Sequence, residues 1–174
     1  MTNLLWVDLE MTGLQVERDV IIEVAALVTD LNFNELTCYE AVVKQSQTAL
    51  EQMDSWNQEH HKASGLLAKI PSGKDPLLVE RELVELTKLH FPDPKSKPVL
   101  AGNSISQDRA FIDRYFKNLA GLLHYRMLDV TAWKIIFQNK YKKEFNKKQA
   151  HRALDDIRES MEELKFYLSF VKPD

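Results

Sequence analysis

The 174-residue sequence has little cysteine, and Cys38 is the only one. A single cysteine cannot form an intrachain disulfide, and the chain has no cysteine cluster of the kind that holds structural zinc. This composition favours a reducing compartment. The sequence also starts without the pattern of a secretory signal peptide. We therefore expect a cytoplasmic protein, or a mitochondrial one if a targeting segment has been removed.

Positive charge is not in excess, and long apolar runs are absent. The 23 Lys and Arg residues against 26 Asp and Glu residues give a net charge of -3, and the pI is about 6.0. This balance argues against a broad basic surface that binds long nucleic acids through their phosphates, and it leaves room for a local basic pocket. No apolar run reaches the roughly 18 residues of a membrane helix, because Glu23 interrupts VIIEVAALV. Length and lack of repeats predict a single domain over 1–174.

The stretch LLWVDLEMTGL, residues 4–14, contains two carboxylates in what otherwise reads as a buried strand. Alternation in a strand sends residues i and i+2 to one face, so Asp8 and Glu10 point the same way. Like charges this close raise each other's pKa unless a cation lies between them. A solvated edge strand is the alternative. The apolar neighbours favour a central strand covered on both faces, with a metal site near its end.

Strand patterns dominate the first third of the sequence, and helix patterns dominate the rest. Strands of a meander are predicted at 4–9, 19–30 and 35–43. Beyond them the sequence predicts short strands at 98–102 and 124–130, and helices over about 50–65, 76–91, 103–121, 131–141 and 150–171. Three strands followed by alternating helices and strands indicate an α/β fold with a mixed sheet and helices packed against it.

Candidate catalytic residues also occur in the second half of the chain. In the last helix, apolar residues recur at three and four positions, and Asp156 falls on the flank of this buried stripe. Asp155 falls opposite the stripe, where we expect it to be solvated. His151 by itself is typical of an ordinary helix-start histidine. Asp108 lies in the first turn of another helix, where an acid also complements the helix dipole.

Five segments give the sequence a resemblance to a known family, namely WVDLEMTGL, SWNQEHHKASGL, AGNSISQD, HYRMLDV and HRALDDIRES. In this order they resemble the oligoribonuclease family, in the DEDDh branch of the 3'→5' exonucleases. The resemblance extends from residue 5 to about residue 167. It implies a ribonuclease H-like fold, with a mixed five-stranded sheet flanked by helices, and one exonuclease domain over residues 1–174.

The resemblance also implies a catalytic set. It makes Asp8, Glu10, Asp108 and Asp156 the metal-binding acids and His151 the general base. Family members hold two divalent ions, Mg²⁺ or Mn²⁺, one on Asp8, Glu10 and Asp156 and the other on Asp8 with Asp108 assisting through water. Such ions activate water and stabilise charged oxygens in phosphodiester hydrolysis, and all-oxygen ligands suit hard ions. The implied products are nucleoside 5'-monophosphates from the 3' end.

Other positions match residues that contact substrate in the family, namely Leu14, Trp56, His61, Ser104, Tyr125, Arg126 and Thr131. Leu14 and Trp56 would pack against bases of any sequence, although a core role is the alternative for both. In the family, the segment with Tyr125 and Arg126 reaches across a homodimer interface, where the arginine helps bind a terminal 5'-phosphate. The implied substrate is single-stranded RNA of two to five nucleotides.

Two positions fall outside that pattern. Trp133 stands where the family often has a small hydroxyl residue, so the predicted 5'-phosphate pocket departs from the family here. His60 matches no substrate-contacting position of the family, and we expect it to be solvated. Adjacent side chains diverge on a helix, so we do not expect His60 and His61 to form a zinc site.

Three hypotheses follow. The leading one is a metal-dependent exoribonuclease of short oligonucleotides that acts as a homodimer. The second keeps the chemistry but trims DNA ends or longer RNA, tolerates a monomer and does not need Arg126. The third is a catalytically silent nucleic-acid-binding module. All five catalytic positions carry the required residue types, which disfavours the third.

Overall fold

The computed structural model describes residues 3–146 and 152–171, so His151 lies outside the described residues. The described strands are β1 Asn3–Met11, β2 Ile21–Asp30, β3 Glu35–Val42, β4 Leu100–Gly102 and β5 Met127–Asp129. They form one sheet in the order β3-β2-β1-β4-β5. β1 pairs antiparallel with β2 and parallel with β4. The predicted mixed five-stranded sheet is therefore confirmed.

Helices flank this sheet. They are α1 Gln47–Glu51, α2 Ser55–Ala63, α3 Pro76–His90, α4 Ser106–Tyr115, α5 Lys117–Leu122, α6 Val130–Tyr141 and α7 Ala153–Leu168. Among the helices of the described ranges, none combines the length and the apolar character needed to cross a membrane.

β1 is the central strand, and both of its faces are covered. Leu5 belongs to a core that β1 forms with α3 and α4, whereas Leu4 and Trp6 belong to a core formed with α7. Asp8 and Glu10 continue the row of Leu4 and Trp6 along the same face of the strand. The acid pair therefore emerges on the α7 side of the sheet, just beyond the apolar packing.

The predicted single helix over 103–121 is wrong, because the structure divides it into α4 and α5. The buried Phe116 between them has a non-helical backbone, with φ -121 and ψ 61. Glu80 on α3 is buried, and its carboxylate accepts the backbone N–H of Asn118 at 2.6 Å. A neighbouring helix thus supplies the acceptor that the first amides of α5 need.

Two further predicted elements are shorter in the structure. The helix expected over 50–65 is divided into α1 and α2, because Asp54 caps the second helix by accepting the backbone N–H of Asn57 at 2.9 Å. The strand expected over 124–130 contains only the three residues of β5. Tyr125 and Arg126 consequently lie before β5, outside the sheet.

Candidate active site

Three carboxylates meet where β1 passes the start of α7. Asp8 and Glu10 lie on one face of β1, and Asp156 lies in the first turn of α7. Their nearest ligand oxygens all lie within 4.8 Å of one another, a spacing at which the group can hold a metal ion. All three are partly buried, and β1 is the central strand, so a solvated edge strand is excluded. The structure thus brings together three of the predicted acids.

Glu10 shows the electrostatic cost of this arrangement. Its pKa is raised to about 7, first by burial, then by the negative charges of Asp156 and Glu23. The nearby Arg152 opposes this shift in pKa but does not cancel it. A bound cation would favour the ionised form of the carboxylate. The all-oxygen donor set suits a hard divalent ion.

Asp108 approaches β1 from α4. It lies in the first turn of α4, as predicted, but it is only 6% exposed, and its Oδ1 accepts the backbone N–H of Leu9 at 3.0 Å. Burial raises its pKa to about 7, against the effect of this hydrogen bond. The carboxylate therefore faces the strand that carries Asp8 and Glu10, and a purely helix-capping role does not account for its position.

An ion pair between the buried Glu23 and the partly exposed Arg152 lies behind the carboxylates. Glu23 on β2 is the direct neighbour of Glu10 in the antiparallel pairing. Arg152, at the N-cap of α7, donates from Nη2 to Glu23 Oε1 at 2.9 Å. This pair joins the start of α7 to β2, next to the carboxylates that α7 and β1 bring together. His151 is the residue before Arg152 in the sequence, and no placement is described for it.

A depression of about 590 Å³ adjoins Glu10 and is lined by Leu14 and Trp56, among others. Leu14 is 71% exposed and Trp56 is 68% exposed. The core role that we considered for both residues is therefore excluded. Two large apolar side chains beside a metal-binding group form a surface on which flat, partly apolar groups such as nucleobases can stack.

The loop that presents Leu14 is held by Asp19. This buried carboxylate accepts the backbone N–H of Gln15 at 2.9 Å and is paired with Arg18 at 3.1 Å. A Cβ added at Gly13 would overlap the carboxylate of Asp19, so a larger residue here would force that carboxylate to shift. The contacts of Asp19 thus hold the loop in place, and Leu14 projects from it into solvent.

His61 and His60 lie beside Glu10 on α2. His61 is 2% exposed; its Nε2 donates to the carbonyl oxygen of Met11 at 3.0 Å, and its Nδ1 lies 3.9 Å from Glu10 Oε2. Burial lowers its pKa. His60 stacks on Trp56, with ring centroids 4.9 Å apart and planes 8° apart. The expectation that the two adjacent histidines diverge is wrong, because a ring nitrogen of each lies within 4.8 Å of the other and of a carboxylate oxygen of Glu10.

Ser104 and Thr131 are brought together at the end of β4. Their hydroxyl oxygens lie 3.2 Å apart, and the backbone N–H of Ser104 donates to Asp129 Oδ1 at 3.0 Å. The side chain of Trp133 points away from these hydroxyls. It packs against the core formed by β1 and α7 and stacks on Phe137. Its indole therefore does not replace the hydroxyl pair of Ser104 and Thr131.

Tyr125 and Arg126 lie apart from this group, on the surface before β5. Tyr125 is 74% exposed, and the guanidinium carbon of Arg126 lies 5.4 Å from the centre of its ring. The ring of His124 also stacks on that of Tyr125, with ring centroids 4.6 Å apart. These side chains are free to meet another molecule, although the contacts predicted for them stay predictions.

Three charged residues near the acids were not anticipated, namely Glu23, Arg152 and Asp129. Glu23 had a sequence signal, because a charge inside an otherwise apolar strand pattern is typical of a buried, paired group. Asp129 also had one, since Asp-Val-Thr before a helix is typical of an N-cap, and its side chain accepts the N–H of Thr131. Arg152 had none that we recognise.

Comparisons with known proteins agree with this geometry. The family model for exonucleases, RNase_T, matches residues 5–164. An oligoribonuclease of Escherichia coli is 45% identical over 179 residues, covering 98% of this chain and 96% of that protein. An oligoribonuclease of Dichelobacter nodosus is 42% identical over 175 residues, covering 98% of this chain and 97% of that protein.

Solved structures agree on the fold. An exonuclease I structure superposes with a TM-score of 0.75 at 13% identity, over 97% of this chain and 41% of that chain. In complex with a dT13 oligonucleotide, exonuclease I superposes with a TM-score of 0.72 at 13% identity, over 98% of this chain and 41% of that chain. This chain thus spans about two fifths of exonuclease I. With near full-length relatives above 40% identity, the chain belongs to the oligoribonuclease family of 3'→5' exoribonucleases.

Proposed function

We propose that this protein hydrolyses short oligoribonucleotides, especially dinucleotides, to nucleoside 5'-monophosphates. The observation that carries the proposal is the close approach of Asp8, Glu10 and Asp156, with ligand oxygens within 4.8 Å, beside a depression lined by exposed Leu14 and Trp56. A metal-binding group next to a stacking surface suits cleavage of a bond close to a bound base.

The acids fit two hard divalent ions, Mg²⁺ or Mn²⁺. Asp8, Glu10 and Asp156 would hold one, and Asp8 with Asp108 would hold the other. Bound together, such ions supply an activated water near neutral pH and stabilise the entering and leaving oxygens. Burial raises the pKa of Glu10 and of Asp108 to about 7. This supports the assignment, because a bound cation favours the ionised form of carboxylates that burial would otherwise leave protonated.

His151 is the proposed general base, which accepts the proton of the attacking water. The reference pKa of histidine, about 6.5, suits this task near neutral pH. The next residue, Arg152, is bonded to Glu23 beside the carboxylates. This contact supports the proposal, because it holds the start of α7 at the site.

Substrate length is proposed to be limited by a second copy of the chain. Leu14 and Trp56 would hold the bases, and His61, Ser104 and Thr131 would contribute to the substrate site. Tyr125 and Arg126 of the partner subunit would close the other end, with the arginine on the 5'-phosphate. The exposure of Tyr125 supports this arrangement.

The same proposal includes the compartment and the domain organisation. We propose one exonuclease domain over residues 1–174 and a cytoplasmic location. The thiol of Cys38 is exposed and free, as suits a reducing compartment.

The test is a time course on 5'-phosphorylated RNAs of two, three, seven and twenty nucleotides, in Mg²⁺ and then in EDTA. We expect rapid, metal-dependent cleavage of the dinucleotide and much slower cleavage of the longer chains. Matched DNA oligonucleotides provide the sugar control. Equal or faster processing of the longest chain, or of DNA, would contradict the proposed substrate and favour an exonuclease of DNA ends or longer RNA.

A further inference from the structure

A second group of potential metal ligands lies on the other side of Glu10. The nearest ligand atoms of Glu10, His60 and His61 are all within 4.8 Å of one another. The two imidazole rings meet edge to face, with centroids 5.4 Å apart and planes 75° apart. This group shares only Glu10 with the carboxylate group described above.

One ring nitrogen of His61 lacks a hydrogen-bond partner in the part of the chain that the structure describes. The Nδ1 atom of His61 is buried and has no hydrogen-bond partner among the described residues. The carbonyl oxygen of Met11 can only accept, so the contacting Nε2 carries the ring proton. In the neutral ring Nδ1 is then an unprotonated acceptor, and it faces Glu10 Oε2 at 3.9 Å.

Two acceptors that face each other across this gap repel, and the distance is too long for a hydrogen bond. A cation between them satisfies both. Zinc ligands lie about 2.0–2.2 Å from the ion, which places adjacent ligand atoms of a tetrahedral site about 3.4 Å apart. The observed separation of 3.9 Å needs only a small closure to reach this value.

The donor types select the ion. Two imidazole nitrogens and one carboxylate oxygen suit Zn²⁺ and similar transition ions, whereas Mg²⁺ prefers oxygen ligands. Zn²⁺ with three protein ligands commonly leaves a fourth position for water or another ligand. His60 is already oriented by its stacking on Trp56, which limits the conformational freedom that binding would remove.

We propose that Glu10, His60 and His61 form a second metal site that binds Zn²⁺ or a chemically similar transition ion. Glu10 is shared by the two groups, so we expect zinc at this site to weaken the contribution of Glu10 to an ion held by Asp8 and Asp156. The predicted consequence is inhibition by zinc, and this consequence alone rests on the proposed nuclease function.

Zinc affinity of the metal-stripped protein tests the site directly. The measurement is competition with a chromophoric zinc chelator, for the wild type, for His60→Gln and for the matched control His90→Gln. Loss of groups that merely orient metal ligands already costs about 10–100-fold in affinity, so we expect His60→Gln to weaken binding at least about tenfold. His90→Gln is expected to bind like the wild type. Equal affinity of His60→Gln and the wild type would overturn the proposal.

Two further measurements separate this site from the carboxylate group. Asp156→Asn is expected to keep the zinc affinity that depends on His60, because Asp156 belongs only to the other group. In the wild type, zinc is expected to shift the imidazole resonances of His60 and His61 in NMR spectra and to leave those of His90 and His124 in place. Unshifted resonances of His60 and His61 at zinc saturation would overturn the proposal without any variant.

Activity provides the last readout. Zinc is titrated against Mg²⁺-dependent dinucleotide cleavage, with each protein normalised to its own rate without zinc. We expect the zinc concentration for half-inhibition to rise at least about tenfold in His60→Gln, in step with its affinity. Absence of any hydrolysis in Mg²⁺ would refute the proposed function, while the zinc affinities would still decide the metal site.

Discussion

At the scale of single residues, Glu10 is the point where two groups of potential ligands meet. It contributes to the carboxylate group with Asp8 and Asp156 and to the imidazole group with His60 and His61. Its raised pKa reflects burial among like charges. The chemistry at this position therefore depends on which cation is present.

Asp108 provides the first prediction at this scale. Asp108→Asn removes the negative charge but keeps a side-chain oxygen that can accept the N–H of Leu9, so the fold is expected to persist. We expect hydrolysis of a dinucleotide to fall at least about a hundredfold, because Asp108 would help hold an ion that stabilises developing charge, and loss of one such stabilising interaction costs about that much. Turnover at the wild-type rate, with an unchanged melting temperature, would remove Asp108 from the site.

The second prediction concerns pH and metal. Folding raises the pKa of Glu10 from 4.5 and of Asp108 from 3.8, each to about 7. The folded state thus holds these protons more tightly, so the stability of the metal-free protein falls as pH rises from about 4 to about 7. Metal binds the ionised forms and offsets this loss.

We therefore expect the increase in melting temperature on adding Mg²⁺ to be small near pH 5 and larger near pH 8. The double variant Glu10→Gln with Asp108→Asn is the control, and its melting temperature should depend less on both pH and metal. An equal metal effect at both pH values in the wild type would contradict the prediction.

At the scale of elements, the start of α7 decides where the site can form. Asp156 lies in its first turn, and Arg152 at its N-cap is bonded to Glu23 on β2. Apolar packing of α7 against β1 and β2 brings this end of the helix beside Glu10. We therefore expect this ion pair to help position the first turn of α7, and with it Asp156, relative to β1.

Replacing Arg152 tests this link. Arg152→Met leaves the buried carboxylate of Glu23 without its charged partner, which we expect to lower the free energy of unfolding by about 1–3 kcal/mol. The matched control is Arg158→Met on the same helix, which breaks an exposed pair with Glu35 and is expected to cost at most about 1 kcal/mol. Urea unfolding compares the two variants, and equal losses would contradict a special role of the pair between Arg152 and the buried Glu23.

At the scale of the whole molecule, one edge of the sheet is suited to meet a second copy. β5 is an edge strand, Tyr125 lies exposed just before it, and Ile135 and Ile136 of the following α6 are exposed as well. Within residues 3–146 and 152–171 no strand pairs with the outer side of β5. Such an edge with neighbouring apolar side chains is typical of a surface that another chain covers.

We predict a dimer in solution from this surface. Sedimentation equilibrium should give twice the chain mass of 20.2 kDa. The double variant Ile135→Asp with Ile136→Asp should shift the mass toward that of one chain, because charges in a packed interface are unfavourable. A single-chain mass for the wild type at micromolar concentration would contradict the proposal that Tyr125 and Arg126 of a partner subunit close the substrate site.

Arg126 gives the prediction for the assembled enzyme. Removing the 5'-phosphate from a dinucleotide should weaken binding by the wild type about tenfold or more, since a charged hydrogen bond contributes about 1.5–3 kcal/mol. The same change should have little effect on Arg126→Ala. Fluorescence anisotropy in EDTA measures binding without cleavage, and Arg158→Ala is the control that should behave like the wild type. Equal losses in wild type and Arg126→Ala would reject the contact.

Local patterns were enough to predict several of these features. Alternation in β1 placed Asp8 and Glu10 on one face, and helical periodicity placed Asp156 at the edge of the buried stripe of α7 while leaving Asp155 exposed. A mixed sheet followed from the order of strands and helices, and the family resemblance implied that it has five strands, as the structure shows. The family resemblance selected Leu14 and Trp56; a core role was the alternative for both and, for Leu14, the one that residue patterns alone favoured.

The sequence by itself determined which residue types occupy each face, because a strand and a helix have fixed periods of about 2 and 3.6 residues. Only the tertiary structure decided what those faces meet. The capping of α5 by Glu80, the pairing of Glu23 with Arg152 and the approach of His60 to Glu10 all join segments far apart in the chain. Such contacts depend on how elements pack in three dimensions, and no local period encodes them.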